Sequence, residues 1–147
     1  MIGTQRTFAM IKPDAVSNGY TDLIIQAINE TGQFKITFEK KVRFTSEDIT
    51  YFYTEHVTKP FFPNLLKCMT GGDSICLILE GVDAIGNWRE MIGPTNVKVA
   101  KETAPNSLRA LYGDTENTAK NVCHGSDTLI NAEKEIYFIL NGLGSTL

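Results

Sequence analysis

Long apolar runs, paired cysteines, glycine-rich phosphate loops and an excess of either charge are all missing from this chain of 147 residues. No stretch approaches the length of a membrane span. The opening MIGTQRTFAMIKPD carries charge early and breaks at Pro13 instead of continuing as a signal peptide, so the expected location is cytoplasmic, with no membrane partner. Three cysteines, Cys68, Cys76 and Cys123, form an odd set without CxxC spacing. That argues against a disulfide framework and a zinc site and suits small, buried apolar side chains. Acidic residues number 17 against 14 basic ones, so no global basic field attracts nucleic acid and any anion site must be local. Neither GxxxxGK[ST] nor GxGxxG occurs, which excludes nucleotide sites of those two kinds.

What the chain does contain is ordinary for a globular protein, 42% hydrophobic and 21% charged residues. The length suits one domain with a real core, taken as residues 1–147. RTFAMI (6–11) is a short apolar run ending at Pro13 and reads as the first strand. In TDLIIQAINETG, Leu23, Ile24, Ala27 and Ile28 fall on one helical face, with Thr21 or Asp22 as cap and Gly32 as stop. FKITFEKKVRF alternates, which puts Phe34, Ile36, Phe38, Val42 and Phe44 on one face of a strand, broken only by Lys40. TSEDITYFYTEHV opens on a Thr-Ser cap and carries Ile49, Phe52, Tyr53 and His56 at helical spacing. After Pro60 and Pro63, NLLKCM predicts a short helix closed by Gly71-Gly72. SICLILEG reads as a strand, VDAIGNWREMIG as a helix, Pro94 to Asn121 as a polar irregular stretch, and EIYFIL as a closing strand. The sum is an α+β fold, a ferredoxin-like split βαβ sandwich whose four-stranded antiparallel sheet has helices packed mainly on one face. That architecture hosts RNA-binding modules, small-molecule regulators and enzymes alike, so function has to come from a site.

One of only two histidines stands in NVCHGSDTLINAEKEI (121–136). Gly125 leaves the backbone open beside His124, Ser126 and Asp127 suit a helix start, and Glu135 follows near the far end of that helix. A carboxylate on one imidazole nitrogen fixes the tautomer and frees the other nitrogen as a nucleophile. Taken alone, the same residues also describe a polar turn followed by helix caps.

Three further segments, in order along the chain, join this one: RTFAMIKPDAV, FYTEHVTKPFFPNL and WREMIGPTN. With them, the sequence from Arg6 to about Ile139 resembles the nucleoside diphosphate kinase family. The resemblance implies a ping-pong transfer of the γ-phosphoryl group from a nucleoside triphosphate such as ATP to a nucleoside diphosphate, with His124 carrying the group in between. It implies that Lys12, Arg89 and Arg109 are phosphate-binding cations and Thr95 a phosphate-binding hydroxyl. By the same resemblance, Tyr53 touches the catalytic histidine, Ser126 and Glu135 orient its ring, Asn121 reaches the sugar, and Phe61 stacks on the base with Leu65 beside it. The residue types suit the chemistry. A neutral imidazole attacks phosphorus without a strong base, and fixed cations stabilise a loose, charge-rich transition state. Arginine donates two hydrogen bonds to one phosphate, and an aromatic ring accepts any base face. Magnesium is implied on the nucleotide phosphates and not in a cage of protein ligands. Without the family pattern, Arg89 and Arg109 read as solvated helix charges and Tyr53, Phe61 and Leu65 as core.

The chain also departs from the family. Where common members read GTIRGDF it reads NSLRALYG (106–113), which keeps the arginine and loses the flanking glycines and the acid. The interval from Arg109 to His124 is roughly two residues longer than usual, so the residue facing Phe61 across the base falls on Thr118 by counting back from Asn121. The segment NVKVAKETAPNS is altered where the family builds subunit contacts; a homo-oligomer is implied, its order left open. For such a divergent member the alternative to a working kinase is a catalytically weak or inactive nucleotide-binding or regulatory domain of the same fold. The intact set Lys12, Arg89, Arg109, Asn121, His124, Ser126 and Glu135 argues for the enzyme. An RNA-binding module on this architecture calls for an RNP-like GFGFV run, which is absent.

Overall fold

The computed structural model describes residues 3–141. β1 (Thr4–Ile11), β2 (Lys35–Val42), β3 (Ser74–Val82) and β4 (Cys123–Gly125) form one sheet in the order β2-β3-β1-β4, every pairing antiparallel. α1 (Pro13–Ser17) and α2 (Thr21–Glu30) follow β1. α3 (Ser46–Phe52), a single 3₁₀ turn (Thr54–His56) and α4 (Phe62–Thr70) follow β2. α5 (Ala84–Ile92), α6 (Val97–Thr103) and α7 (Leu108–Tyr112) follow β3, and α8 (Leu129–Asn141) follows β4. The four-stranded α+β arrangement is the expected one.

Helices cover both faces of the sheet, not mainly one. The central strands dictate this: Phe8–Ile11 and Ile75–Leu79 are apolar at every position and buried, and a strand of that kind has to hide both sides. Phe8, Met10, Cys76 and Ile78 pack with Ile49 of α3, Met69 of α4 and Ile136 and Ile139 of α8. Ala9, Ile11, Ile75, Leu77 and Leu79 pack with Ile24 and Ile28 of α2 and with Trp88 and Ile92 of α5.

Strand β2 does not keep its apolar residues on one face. Ile36 pairs with Leu79 and Phe38 with Ile78, so Thr37 is an extra residue, a bulge. One extra residue inverts the alternation. Phe34 and Ile36 therefore join the α2/α5 layer, while Phe38, Val42 and Phe44 join the other.

EIYFIL lies inside α8 and not in a strand. Its β-branched and aromatic residues suit either state, but Ala132, Ile136 and Ile139 are buried at helical spacing while Tyr137 and Leu140 stay exposed. Thr128 caps the helix, its hydroxyl accepting from Asn131 N–H at 3.1 Å. Ser126 and Asp127, expected as the caps, make other contacts. The fourth strand is instead the histidine segment itself. Pro94 to Asn121 likewise holds two short helices, started by the Asn96 side chain accepting from Val99 N–H and the Ser107 side chain from Ala110 N–H. α3 begins on the expected Thr45, in a reciprocal cap with Asp48, but stops at Phe52. Tyr53 leaves the helical region with ψ 37°, and His56 falls on the 3₁₀ turn. The start of α2 falls on Tyr20 without a side-chain cap.

Candidate active site

His124 is the middle residue of β4 and pairs with Met10 of β1. The chain enters that strand through a three-residue turn in which Cys123 N–H donates to the Asn121 carbonyl at 2.9 Å around Val122, whose φ is +79°. A β-branched residue there is strained and persists only if its neighbours hold it. Two do: Lys12 N–H donates to the Val122 carbonyl at 2.8 Å, and Val122 N–H donates to the Asp14 carboxylate at 3.1 Å. From α5, Trp88 Nε1 donates to the His124 carbonyl at 3.1 Å and Arg89 to the Gly125 carbonyl at 3.2 Å. A Cβ on Gly125 would stand 2.7 Å from the Trp88 ring, so only glycine lets α5 close on this strand.

The imidazole is packed by Phe52, Phe8 and Tyr53, with ring centroids 5.1, 5.9 and 6.0 Å away. Its Nε2 lies 2.8 Å from Glu135 Oε1, and Ser126 Oγ donates to that same oxygen at 2.8 Å. Ser126 is fully buried and also accepts from Phe8 N–H at 3.3 Å. The corrected fold matters here, because it is helix α8 that brings Glu135 back over β4. With an ionised carboxylate as acceptor, Nε2 carries the proton and Nδ1 keeps its lone pair. Among the described residues Nδ1 has no hydrogen-bond partner.

Around the histidine opens a cleft of about 1040 Å³. Lys12, only 4% exposed, donates through Nζ to the Ala119 carbonyl and to Asn121 Oδ1, both at 2.7 Å. Burial lowers its pKa to about 8, with Asp14 opposing. Burial in turn raises Asp14, with Lys12 opposing. Arg109 spreads its fork over three carbonyls, Asn121 at 3.0 Å, Gly93 at 2.9 Å and Cys123 at 2.8 Å. Burial lowers its pKa too, yet a guanidinium stays charged in proteins. Asn121, buried, donates to the Thr95 carbonyl at 3.1 Å. Arg89 and Thr95 are exposed on the same wall. Burial, and then the Glu135 carboxylate, push the Tyr53 phenol above its ordinary value, so it stays a proton donor. At the other end Phe61, 51% exposed, stands at the start of α4, and Leu65 one turn later belongs to both the core and the cleft wall.

Every residue singled out from the sequence lines this cleft, Thr118 included, except Ser126, which stands behind Glu135. Two residues that hold the site were quoted in its motifs without a role, Asp14 in the KPD run and Trp88 ahead of Arg89. No pattern in the sequence announces the strained turn at Val122 that Asp14 holds. Cys76 and Cys123 are buried as expected, and burial pushes both thiols up to about 12, while Cys68 is only half-buried. Among the described residues, no three His, Cys, Asp or Glu side chains gather as a metal cage, and no helix is long and apolar enough to cross a membrane.

Comparison with known proteins gives this cleft its context. The family model described as nucleoside diphosphate kinase matches residues 5–143. The chain belongs to the nucleoside diphosphate kinase family. It is 40% identical to the nucleoside diphosphate kinase of Aquifex aeolicus (strain VF5) over 142 residues, 97% of this chain and 98% of that protein. It is 42% identical to the probable nucleoside diphosphate kinase 5 of Arabidopsis thaliana over 136 residues, 92% of each. The crystal structure of the Aquifex aeolicus nucleoside diphosphate kinase superposes with a TM-score of 0.88 at 40% identity, covering 96% of this chain and 98% of that one. Nucleoside diphosphate kinases act on nucleoside di- and triphosphates and generally use Mg2+ with them.

Proposed function

We infer that this chain is a nucleoside diphosphate kinase that moves the γ-phosphoryl group of a nucleoside triphosphate, ATP in the first instance, to a nucleoside diphosphate through a phosphohistidine at His124. The divided imidazole carries the reading: Nε2 is held by Glu135 Oε1 at 2.8 Å, and Nδ1 is left with its lone pair in a cleft that also holds Lys12, Arg89 and Arg109. The Nδ1 pair forms a bond to the γ-phosphorus while the bond from phosphorus to the β,γ-bridging oxygen breaks, and the diphosphate leaves with that electron pair. In the second half a terminal β-phosphate oxygen of the incoming diphosphate takes the phosphoryl group and frees the imidazole. Positive charge developing on the ring faces the Glu135 carboxylate, which Ser126 holds in place. Negative charge on the moving group faces Lys12, Arg89 and Arg109, the Thr95 hydroxyl and the Tyr53 phenol, which lower the barrier by being fixed in advance. Phe61 and Leu65 take the base by stacking and contact, and Asn121 takes the sugar. Magnesium enters as part of the substrate, on the phosphates.

In this reading residues 1–147 work as a single catalytic domain in the cytoplasm, on nucleotides, with neither membrane nor nucleic acid as partner. A homo-oligomer is supported by β2, an edge strand whose half-buried Ile36 and Phe38 flank backbone groups that pair with no further strand among the described residues. Steady-state rates with ATP and GDP test the reaction. Parallel double-reciprocal lines, and their loss in His124→Ala, are expected. A protein that binds nucleotide but never turns over would return the binding-domain alternative.

A further inference from the structure

The segment between Arg109 and Asn121 is fastened to α4 at the mouth of the cleft. Asn64 Nδ2 on α4 donates to Asn117 Oδ1 at 2.7 Å, and that oxygen also accepts from Ala119 N–H at 3.1 Å. Asn117 Nδ2 reaches Cys68 Sγ, also on α4, at 3.9 Å. Ala119 in turn offers its carbonyl to Lys12 Nζ at 2.7 Å. A continuous line of hydrogen bonds thus runs from α4 through the segment to a buried cation.

The two ends of that line sit where they matter. Asn64 follows Phe61 by one helical turn and precedes Leu65, while Asn117 precedes Thr118 and Ala119 on the facing wall. Asn64 and Asn117 therefore tie one wall of the base slot to the other.

We propose that Asn117 is a positioning residue: through Asn64 and Ala119 it holds residues 113–120 over the cleft, fixes the base slot before nucleotide arrives, and so sets nucleotide affinity. This rests on the proposed function, which puts the base against Phe61. Without the clasp the segment has to be ordered at the moment of binding, and that ordering entropy weakens binding. His124 and Ser126 bond to Glu135 and not to the clasp, and Lys12 keeps its bond to Asn121 Oδ1 at 2.7 Å when Ala119 is released, so the groups of the phosphoryl step stay in place. Because Asn117 acts on the width of the slot, ADP and GDP are affected alike.

The test uses the full chain with Asn117→Ala, Asn64→Ala and the double substitution. Calorimetry gives Kd for ADP and GDP, and single-turnover labelling of His124 with γ-labelled ATP gives a half-saturating concentration and a plateau rate. Loss of a hydrogen bond of ordinary strength predicts that each single substitution raises Kd and the half-saturating concentration about three- to tenfold. The double substitution should match Asn117→Ala alone, with the plateau rate unchanged throughout. An unchanged Kd, single effects that multiply in the double, or a lower plateau rate at wild-type Kd each overturn the proposal. If the wild type binds ADP but takes no label, the kinase reading fails, and the Kd series still decides the clasp.

Discussion

Nucleotide binding is expected to draw a proton onto Lys12. In the empty cleft burial holds the Lys12 pKa at about 8, so at pH 8 about half the molecules carry the ammonium. A polyphosphate brought beside Nζ favours the charged form, and about half a proton should enter with each ADP at pH 8. Near pH 6 the ammonium is already present and this uptake falls to about zero. Calorimetric titration with ADP in two buffers of different ionisation enthalpy measures it directly, with Lys12→Met as the control. Uptake of equal size in wild type and Lys12→Met at pH 8, or none in the wild type, refutes the assignment of Lys12 as a buried phosphate cation. The same shift has a consequence for stability, with a definite sign. Below about pH 8 folded and unfolded chains both hold the proton, and the cost of burying the ammonium is present in full. Between about 8 and the ordinary value of 10.5 the folded chain releases it first. Unfolding then takes up a proton, so the Lys12 contribution to stability rises with pH across that window.

Further substitutions probe the other parts of the site. Glu135→Gln removes the anion that fixes the imidazole tautomer, and rapid-quench labelling should show His124 phosphorylation slowed by roughly 10²- to 10⁴-fold; a wild-type rate would mean the carboxylate is incidental. Arg109→Lys cannot reach three carbonyls at once. Each buried acceptor left unpaired costs about 1–3 kcal/mol, and thermal unfolding should move down by roughly 2–4 °C per kcal/mol, whereas an unchanged Tm would show that the fork is not needed. Phe61→Ala should raise KM for purine and pyrimidine nucleotides alike, by about 5- to 150-fold if stacking is worth ~1–3 kcal/mol. A loss confined to one base would point to hydrogen-bonded recognition instead.

The central strands and the residues of the cleft were legible in the sequence for different reasons. β1 and β3 stand out because unbroken apolar runs have few other homes in a chain this size, although the same runs should have signalled helices on both faces. The cleft residues were legible through four ordered motifs, not through periodicity. Alone, Arg89 and Phe61 look like any exposed arginine and aromatic. EIYFIL was misread because isoleucine, tyrosine and phenylalanine favour strands, while burial of Ala132, Ile136 and Ile139 is a tertiary fact that overrides that preference. The bulge at Thr37 was illegible because an extra residue leaves the alternation of FKITFEKKV unchanged on paper. The turn at Val122 breaks the rule that β-branched residues avoid positive φ, and it does so where Asp14 and Lys12 hold it beside the histidine. The Asn64–Asn117 bond joins residues 53 positions apart; Asn64 stands in the second motif without a role, and Asn117 lies in none.

The central claim is that His124 is the nucleophile and that Nδ1, the nitrogen Glu135 leaves free, is the atom that takes the phosphoryl group. Wild type incubated with ATP and Mg2+ without an acceptor, quenched in base and read by phosphorus–proton correlation NMR, identifies that atom. The account predicts phosphorus on Nδ1 of His124, its loss on adding GDP, and no signal in His124→Ala. Phosphorus on Nε2, on Ser126 or on any residue that survives in His124→Ala would contradict it.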